Sequence, residues 1–399
     1  MEVTLLKNFN SIVENITKEK VDNFDVVIAN NEKSDDGFVG KIHFVTLKSK
    51  KNNLKYDLVF KHAVVDKSNE ASDFISTCFF NEVHFYQKIW PELRHFQALH
   101  PKVGTNKNIP KYFTSSLEEE NKIVVLENLK LANYECHPAN ILLDFRTYEN
   151  IFRVYGKFHA ISFAFKQKNP EKFAEICRPL KYNWNFLNEN ETVLKEVVKL
   201  FEKLEMYLKE ENDEILLKYR KSYLDNRVAL FKDCIQYKGT SIILHGDCWS
   251  NNIMFKYNRA REIEEIKLID FQMSSTGSPV LDLSYSLYSG AGKDTLNNLD
   301  KLLKIYHSTL SEELRLYDCD PQEIYSYETL MEEWKKLSRF GFILGTVIFS
   351  SKFTDVAQKV KVDEFVNTPS NEILTTFNEE KFKEVILDLV RHMHENNFL

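Results

Sequence analysis

The most informative part of the sequence is a polar loop between two apolar segments, in the stretch ILHGDCWSNNIMF from Ile243 to Phe255. The apolar residues at both ends predict short strands, and the loop between them contains one acid, one Trp and two adjacent Asn residues. A plain turn needs only one Gly and one Asn or Asp. Because this loop has more polar side chains than chain reversal requires, Asp247 and Asn252 are candidates for chemistry.

Further candidate residues lie in a fixed order before and after this loop. Gly37 and Gly40 form a turn between the first two predicted strands. Lys61 lies inside the apolar third strand, and Glu82 lies on the helix that follows it. Asp270 ends the strand after the loop, in LIDFQ. This order is the one that phosphoryl transfer from ATP requires.

The residue types match the separate needs of that reaction. The triphosphate is a concentrated anion, so backbone N–H groups of a Gly turn and the amine of Lys61 can hold it. A Lys in an apolar strand needs a partner such as Glu82, because an unpaired buried charge is costly. Asp247 can orient the acceptor hydroxyl and accept its proton. Asn252 and Asp270 offer the hard oxygen ligands that Mg²⁺ prefers, so the predicted cofactors are ATP and Mg²⁺.

Each of these residues also has a simpler interpretation when it is taken alone. The glycines can belong to an ordinary hairpin turn, and Lys61 can be an edge-strand lysine with its amine in water. Glu82 can be a solvated helix residue, and Asp270 a turn residue at the end of a strand. The tripeptide His-Gly-Asp occurs by chance. The joint order and spacing favour a kinase-type fold.

The elements that must position these residues change in type along the chain. The segments Phe24 to Asn30, Ile42 to Lys50 and Tyr56 to Val64 predict three antiparallel strands. The segment Ser72 to Trp90 predicts a helix that Pro91 stops. A predicted hairpin over residues 111–129 completes this strand-rich part.

The rest of the chain is predominantly helical in its pattern. Long amphipathic segments cover Phe145 to Phe165 and Glu191 to Leu208, and one more strand covers Ile263 to Phe271. The predicted class is therefore α+β, with a bilobal protein-kinase-like fold. Residues 1–127 form a small β-rich N-lobe, a nucleotide-covering sheet with one helix. Residues 128–399 form a larger helical C-lobe with the catalytic loop, metal site and acceptor pocket.

Composition excludes several other classes of function. The net charge is −6, which gives no electrostatic footprint for nucleic acid. None of the six Cys forms a C-x-x-C pair, and the N-terminus lacks the apolar region of a signal peptide. The longest apolar stretch, Phe340 to Ser351, is shorter than the ~18 residues that span a bilayer, so it predicts a buried helix. We expect a cytoplasmic protein with no membrane span and no evident protein partner.

The motifs resemble those of a known superfamily. LHGDCWSNNIMF together with IKLIDFQ resembles the aminoglycoside phosphotransferase and choline kinase superfamily, and more narrowly the ecdysteroid kinase-like family. FFNEVHFYQKIWPEL, VVLENL, YGKFHAISFAF and SPVLDLSYSLYS resemble that family too. The resemblance implies that Asp247 is catalytic, that Asn252 and Asp270 bind metal, and that Lys61 binds phosphate.

The same resemblance implies roles for residues that spacing alone does not identify. The backbone around Glu127, Asn128 and Leu129 is expected to meet the adenine. His245 is expected to hold the catalytic loop in shape, and Asp282 in VLDL is expected to brace that loop without a catalytic role.

The sequence departs from protein kinases in ways that bear on the acceptor. The first turn lacks a full G-x-G-x-x-G, and DFQ replaces D-F-G. Only Met273 to Ser278 separates this motif from the next predicted helix, and no A-P-E follows. A protein kinase uses a long segment there to seat a peptide. A small hydroxylated molecule is therefore favoured as the acceptor over a protein.

The acceptor class rests on aromatic residues. Aromatic residues make up 13% of the chain. The helical part has no run of acidic residues of the kind that would bind a polycationic acceptor. An aromatic pocket and the family resemblance favour a lipophilic alcohol such as an ecdysteroid or a xenobiotic. A choline- or ethanolamine-type kinase and a catalytically inactive kinase-like binding module are the alternatives. Candidate lining residues, each also interpretable as core, are Trp184, Phe186, Trp249, Tyr285, Tyr288 and Trp334.

Overall fold

The computed structural model describes residues 8–30, 40–63, 72–118, 121–184, 190–209, 213–353 and 378–399. Two residues with predicted roles, Gly37 and Phe186, lie outside these ranges. The first part of the chain forms an antiparallel sheet, and helices dominate the remainder, so the predicted α+β class is confirmed.

The N-terminal sheet has five strands in the order β1-β2-β3-β5-β4. Strand β3 is central, because β2 and β5 pair with it on either side in antiparallel register. Lys61 is therefore not an edge-strand lysine, and its side chain lies in the interior of the protein. The bounds are β1 Phe24–Asn30, β2 Lys41–Ser49, β3 Lys55–His62, β4 Tyr112–Glu118 and β5 Asn121–Glu127.

The two faces of this sheet pack against different parts of the chain. Helix α1, Phe9–Thr17, places Phe9, Ile12 and Val13 on one face, where alternating strand residues such as Leu58 and Phe60 form a small core. Neighbouring Lys61 points the other way, because side chains alternate along a strand. The period-2 pattern of β3 thus places Lys61 on the face opposite α1.

The segment after β3 differs from its predicted form. Helix α2, Ser72–His84, passes through a π-helical turn, Phe85–Ile89, directly into α3, Trp90–Ala98. The prediction that Pro91 stops the helix is wrong. Pro91 is tolerated because it lies in the first turn of α3, where its missing N–H is not needed. Within the described part of residues 1–127, α1 is present in addition to the continuous helical segment from α2 to α3.

The helical part surrounds the segments that carry the polar motifs. Its main core is continuous with the apolar residues of α2 and α3. Helix α4, Phe145–Lys168, packs along helix α11, Leu299–Leu316. The bounds are α4 Phe145–Lys168, α5 Pro170–Cys177, α6 Glu191–Leu208, α7 Asp213–Tyr219, α8 Arg227–Ile235, α9 Pro279–Tyr288, α10 Lys293–Leu296, α11 Leu299–Leu316, α12 Pro321–Tyr325, α13 Tyr327–Leu337, α14 Arg339–Lys352 and α15 Glu379–Glu395.

Two small sheets lie within the helical part and hold the polar loop. Strand β7, Ile242–Leu244, pairs with β10, Ser275–Gly277. Strands β6, Tyr134–Cys136, β8, Ile253–Tyr257, and β9, Ile263–Leu268, form a second sheet in the order β6-β8-β9. The polar loop thus runs from β7 to β8, as the alternation of apolar and polar segments predicts.

The apolar stretch at the end of the helical part forms helix α14 and packs on α9. Gly341 and Gly345 allow this close approach, since an added Cβ at either residue would lie 2.3 Å from a backbone oxygen, that of Ser284 or of Tyr288. Among the helices of the described residues, none has the length and apolar character needed to cross a bilayer.

The contact between α9 and α14 gives a stability prediction. Gly345→Ala should lower the free energy of unfolding by about 1–3 kcal/mol, because the new methyl group has no space beside the carbonyl of Tyr288. The control is Gly104→Ala, since an added Cβ there meets nothing within 4 Å and should change stability by less than about 0.5 kcal/mol. Thermal unfolding of both variants checks this, and equal stabilities would contradict it.

Candidate active site

A carboxylate on α9 holds the polar loop between β7 and β8 in place. Asp282 is fully buried and accepts the backbone N–H of His245 at 2.8 Å and that of Gly246 at 2.9 Å. It also accepts from Nε2 of His159 at 3.2 Å. Burial raises the pKa of Asp282, but these contacts outweigh it and the pKa lies below the ordinary value. Asp282 therefore braces the loop as an ionised group.

His245 links the loop to the end of β9. Its Nδ1 accepts the N–H of Asp247 at 3.2 Å, so Nε2 carries the proton and donates to the carbonyl of Ile269 at 2.9 Å. Burial lowers the pKa of His245, which favours this neutral form. The histidine holds the loop in shape, in agreement with the expectation for this residue.

Gly246 permits the turn that presents the next residue. Its φ is 84°, in the left-handed region that favours glycine, and an added Cβ would lie 2.0 Å from the carbonyl oxygen of Met273. The glycine is required on both grounds. It lets the loop pass close to the segment after β9 and turns Asp247 toward the interior.

Asp247 is buried and has one donor on each carboxylate oxygen. The Tyr285 hydroxyl donates to Oδ1 at 3.1 Å, and Nε2 of Gln272 donates to Oδ2 at 3.2 Å. Burial and the nearby carboxylate of Asp270 raise the pKa of Asp247 to about 7, although the hydrogen bonds oppose this. A carboxylate with such a pKa is matched to accepting a proton near neutral pH.

Lys61 joins the N-terminal sheet to both neighbouring parts of the site. Its Nζ donates to Oε2 of Glu82 on α2 at 2.8 Å and forms an ion pair with Asp270 after β9. It also approaches Oε1 of Gln272 at 3.5 Å. Burial lowers the pKa of Lys61, but Asp270 and Glu82 outweigh it and the pKa lies above the ordinary value. The Lys–carboxylate pairing predicted from sequence is present, and Asp270 adds a second partner.

Among the residues that the structure describes, the charges of this cluster do not balance. One cation, Lys61, faces three carboxylates, those of Glu82, Asp247 and Asp270, through direct contact or through Gln272. Burial raises the pKa of Glu82 as well, and its Oε1 has no hydrogen-bond partner among the described residues. Uncompensated negative charge in a buried site favours a bound cation or bound protons.

The two predicted metal ligands lie at the same end of a strand pair. The N–H of Ile269 donates to the carbonyl of Asn252 at 3.0 Å, which sets Asn252 beside the residue that precedes Asp270. Nδ2 of Asn252 donates to the backbone carbonyl of Asp247 at 3.0 Å, so this contact does not use the side-chain oxygen Oδ1 of Asn252. Hard oxygen donors and excess negative charge fit Mg²⁺.

A complete metal site made by the protein is absent from the described residues. No group of three or more His, Cys, Asp or Glu side chains there is arranged to hold a metal ion. Mg²⁺ commonly takes one or two protein ligands and completes its shell with water and substrate phosphates. The pair of Asn252 and Asp270 fits that second mode.

The predicted adenine contact lies where β5 leaves the sheet. The backbone N–H of Glu127 donates to the carbonyl oxygen of Lys111, and the backbone N–H of Asn128 donates to the carbonyl oxygen of Asp57, both at 2.9 Å. Leu129 begins a short 3-10 turn, and the first N–H groups of such a turn have no acceptor within it. The N–H of Leu129 is therefore the one of the three that is best suited to an adenine.

The two glycines predicted to contact phosphate differ in what the structure describes. Gly40 directly precedes β2, and an added Cβ would lie 2.6 Å from the carbonyl oxygen of His62. This close approach between β2 and β3 explains why glycine is needed. Gly37 lies outside the described residues, so phosphate contact by this turn stays a prediction.

A polar segment before the next gap in the description ties α2 to the catalytic side. Asn81 of α2 exchanges hydrogen bonds with the backbone of Lys181, at 2.7 and 3.0 Å. Asn183 donates to the carbonyl of Gln272 at 3.3 Å. These contacts hold α2, which carries Glu82, close to the segment after β9.

The aromatic candidates divide into core and site residues. Tyr288 and Trp334 are fully buried core residues. Trp184 packs edge-on against Tyr285, with ring centroids 5.7 Å apart, and Tyr285 holds Asp247. Cys248 is buried and burial raises the pKa of its thiol, which supports a filler role.

Sequence reasoning missed two residues that contact Asp247. Tyr285 was predicted only as a pocket or core aromatic, and Gln272 only as a departure from D-F-G. The departure itself was the available signal, because a long polar side chain replaces glycine next to the predicted metal ligand. Neither residue forms a spacing motif with Asp247, so the contacts depend on how α9 and the β9 segment fold back.

Two solved structures are similar to this chain at low sequence identity. The chain is similar to a choline kinase from Cryptosporidium parvum, with 12% identity, coverage of 98% of this chain and 96% of that one, and a TM-score of 0.45. An aminoglycoside 2'-phosphotransferase in complex with GDP gives 12% identity, coverage of 98% and 99%, and a TM-score of 0.42. Similarity at this level does not specify a substrate.

The sequence comparisons are more selective. No curated protein matches the chain closely enough in sequence to count as a relative. The model of the ecdysteroid kinase-like family matches residues 34–319, which is more than half of the chain and includes Lys61, Glu82, the catalytic loop and Asp270. The chain therefore belongs to the ecdysteroid kinase-like family.

Proposed function

We propose that the protein is an ATP- and Mg²⁺-dependent kinase that transfers the γ-phosphoryl group to a hydroxyl of a lipophilic small molecule. The single observation that carries this proposal is the buried chain of contacts from Glu82 through Lys61 to Asp270 and, by way of Gln272, to Asp247. It brings a phosphate-binding amine, a metal-binding carboxylate and a base into one cluster. Phosphoryl transfer needs these three parts together.

Asp247 is assigned as the residue that acts on the acceptor. Its carboxylate accepts the hydroxyl proton as the acceptor oxygen forms a bond to the γ-phosphorus and the bond to the ADP oxygen breaks. The raised pKa, about 7, favours proton acceptance near neutral pH, and the donors Tyr285 and Gln272 fix the carboxylate orientation.

The remaining residues are assigned to the nucleotide. Lys61 holds the phosphates, Glu82 keeps its amine in place, and Asn252 and Asp270 would hold Mg²⁺. When bound, Mg²⁺ neutralises charge on the phosphates. The turn at Gly37 and Gly40 is proposed to cover the phosphates.

The adenine is proposed to meet the backbone at the end of β5. The carbonyl of Glu127 and the N–H of Leu129 provide an acceptor and a donor there, while the side chain of Asn128 caps Lys130. The side chain of Glu127 pairs with Lys267 at 3.1 Å, which leaves backbone groups for the base.

A lipophilic acceptor is supported by the family and by aromatic residues near the base. Trp249 lies two residues after Asp247, and Trp184 contacts Tyr285. Apolar burial contributes about 25 cal/mol per Å², so an acceptor site that exposes these rings to the substrate would favour an apolar alcohol such as an ecdysteroid. Aromatic rings also bind quaternary ammonium groups, so choline is the second candidate.

The first prediction concerns the acceptor. With ATP, Mg²⁺ and equal concentrations of ecdysone, choline and kanamycin, the main product seen by mass spectrometry should be phosphorylated ecdysone. Asp247→Asn is the control: it should lower turnover by at least ~100-fold while ATP still binds, because an amide cannot accept the proton. Phosphocholine as the main product would overturn the lipophilic acceptor, and no product from any alcohol would favour an inactive binding module.

A second prediction concerns the metal. Asp270→Ala should remove the Mg²⁺ dependence of ATP binding and abolish turnover, because one of two protein oxygen ligands is lost. Titration calorimetry with and without Mg²⁺ measures this. The control is Asp25→Ala, whose side chain is exposed on β1 and should leave both properties unchanged. Tight, Mg²⁺-enhanced binding by Asp270→Ala would contradict the assignment.

A third prediction concerns the amine. Lys61→Met should lose more activity than Lys61→Arg, because Arg retains a charge for the phosphates and for the two carboxylates, although its larger planar head fits less well. Steady-state turnover of the two variants at saturating ATP makes the comparison. Equal residual activities would show that the charge of Lys61 is not used.

A further inference from the structure

We propose that Gln272 is a positioning residue that orients Asp247 and ties it to the phosphate-binding Lys61. This inference rests on the proposed kinase function and adds a residue to its machinery. Gln272 follows Asp270 and Phe271 and occupies the position where protein kinases have the glycine of D-F-G. Its side chain is buried between the two groups that it would connect.

The contacts of the amide define its direction. Nε2 donates to Oδ2 of Asp247 at 3.2 Å, and Oε1 faces Nζ of Lys61 at 3.5 Å. A lysine amine can only donate and an ionised carboxylate can only accept. The reverse orientation would place donor against donor and acceptor against acceptor, so the chemistry of its two neighbours fixes which end of the amide faces which group.

A primary amide suits this position for a further reason. Gln272 carries no charge, so it fills the space between Lys61 and Asp247 without adding to the excess of carboxylates. Glutamate would add a fourth negative charge, and glycine would leave Oδ2 of Asp247 without this donor. The Tyr285 hydroxyl would still donate to Oδ1 of that carboxylate.

The backbone around Gln272 is held rigidly enough to act as a support. The ring of Phe271 stacks on Phe85, with centroids 3.7 Å apart and planes 5° from parallel. The carbonyl of Gln272 accepts from Asn183 at 3.3 Å. Because both the ring before it and its own carbonyl are fixed, the amide can transmit a defined position to Asp247.

The consequence for the reaction is a specific kinetic signature. Gln272 makes no described hydrogen bond to the adenine segment or to Asn252, and its 3.5 Å contact with Lys61 is longer than the contacts of that amine with Glu82 and Asp270, so its loss should leave ATP affinity nearly unchanged. Misplacement of a base by about 1 Å can cost on the order of 100-fold in rate. The change should therefore fall on kcat and leave KM for ATP within about threefold.

Two substitutions separate the two ends of the amide. Gln272→Met keeps a similar volume and removes both contacts. Gln272→Glu keeps an acceptor for Lys61 and removes the donor to Asp247. With ecdysone as the acceptor probe, we expect kcat to fall by roughly 10- to 100-fold in Gln272→Met and at least as far in Gln272→Glu. Retained activity in Gln272→Glu would overturn the proposal, because only the contact with Lys61 would then matter.

A matched control accounts for simple loss of stability. Gln97 in α3 is equally buried, and its amide also makes two contacts, to the carbonyl of Gly104 at 2.9 Å and from the N–H of Asn106 at 3.1 Å. Gln97→Met should lower the unfolding midpoint about as much as Gln272→Met and leave kcat unchanged. An equal fall of kcat in both variants would assign Gln272 a purely structural role.

A crystal structure of Gln272→Met gives a readout that does not depend on the acceptor. The proposal requires the Asp247 carboxylate to rotate away from its wild-type position or to adopt more than one conformer. An unchanged Asp247 in that structure would overturn the positioning role even if activity fell. Failure of wild-type protein to phosphorylate any alcohol would instead count against the proposed function, and the structural comparison would still test Gln272.

Discussion

The buried contact of Lys61 with Glu82 and Asp270 is the interaction on which the rest of the site depends. It joins three separate elements: the central strand β3, the helix α2 and the segment after β9. Removing one partner of a buried ion pair typically costs about 3–5 kcal/mol, because the other charge remains buried without compensation. The sheet, α2 and the catalytic side must therefore keep one mutual arrangement, and the contacts of Asn81 with Lys181 reinforce it.

Two aspartates that are close in space show how environment separates structural from chemical roles. Asp282 and Asp247 are both buried, yet the pKa of Asp282 is lowered and that of Asp247 is raised to about 7. Asp282 accepts two backbone N–H groups and faces two histidines, whereas Asp247 has two neutral side-chain donors and lies near Asp270. The difference in hydrogen-bond donors and neighbouring charge fits a permanent brace in one case and a proton acceptor in the other.

Helix α9 connects these roles to the packing of the helical part. It carries both Asp282, which braces the catalytic loop, and Tyr285, which contacts Asp247. Its position is set by close packing on α14, where Gly341 and Gly345 admit its backbone. The packing of α9 on α14 thus positions the polar side chains of Asp282 and Tyr285.

The sequence by itself determined the α+β class, the first three strands, the helix α14 and the residues of the main cluster, because period-2 and helical patterns and short motifs depend on local chemistry. The prediction that Pro91 ends the helix was wrong, because proline is compatible with the first turn of a helix. The π-helical turn before α3 places Pro91 in such a first turn. Only the tertiary structure decided that Asp270, 209 residues from Lys61, is its second partner, and that Gln272 and Tyr285 hold Asp247. Such contacts depend on how distant elements fold back on one another, and no local pattern encodes them.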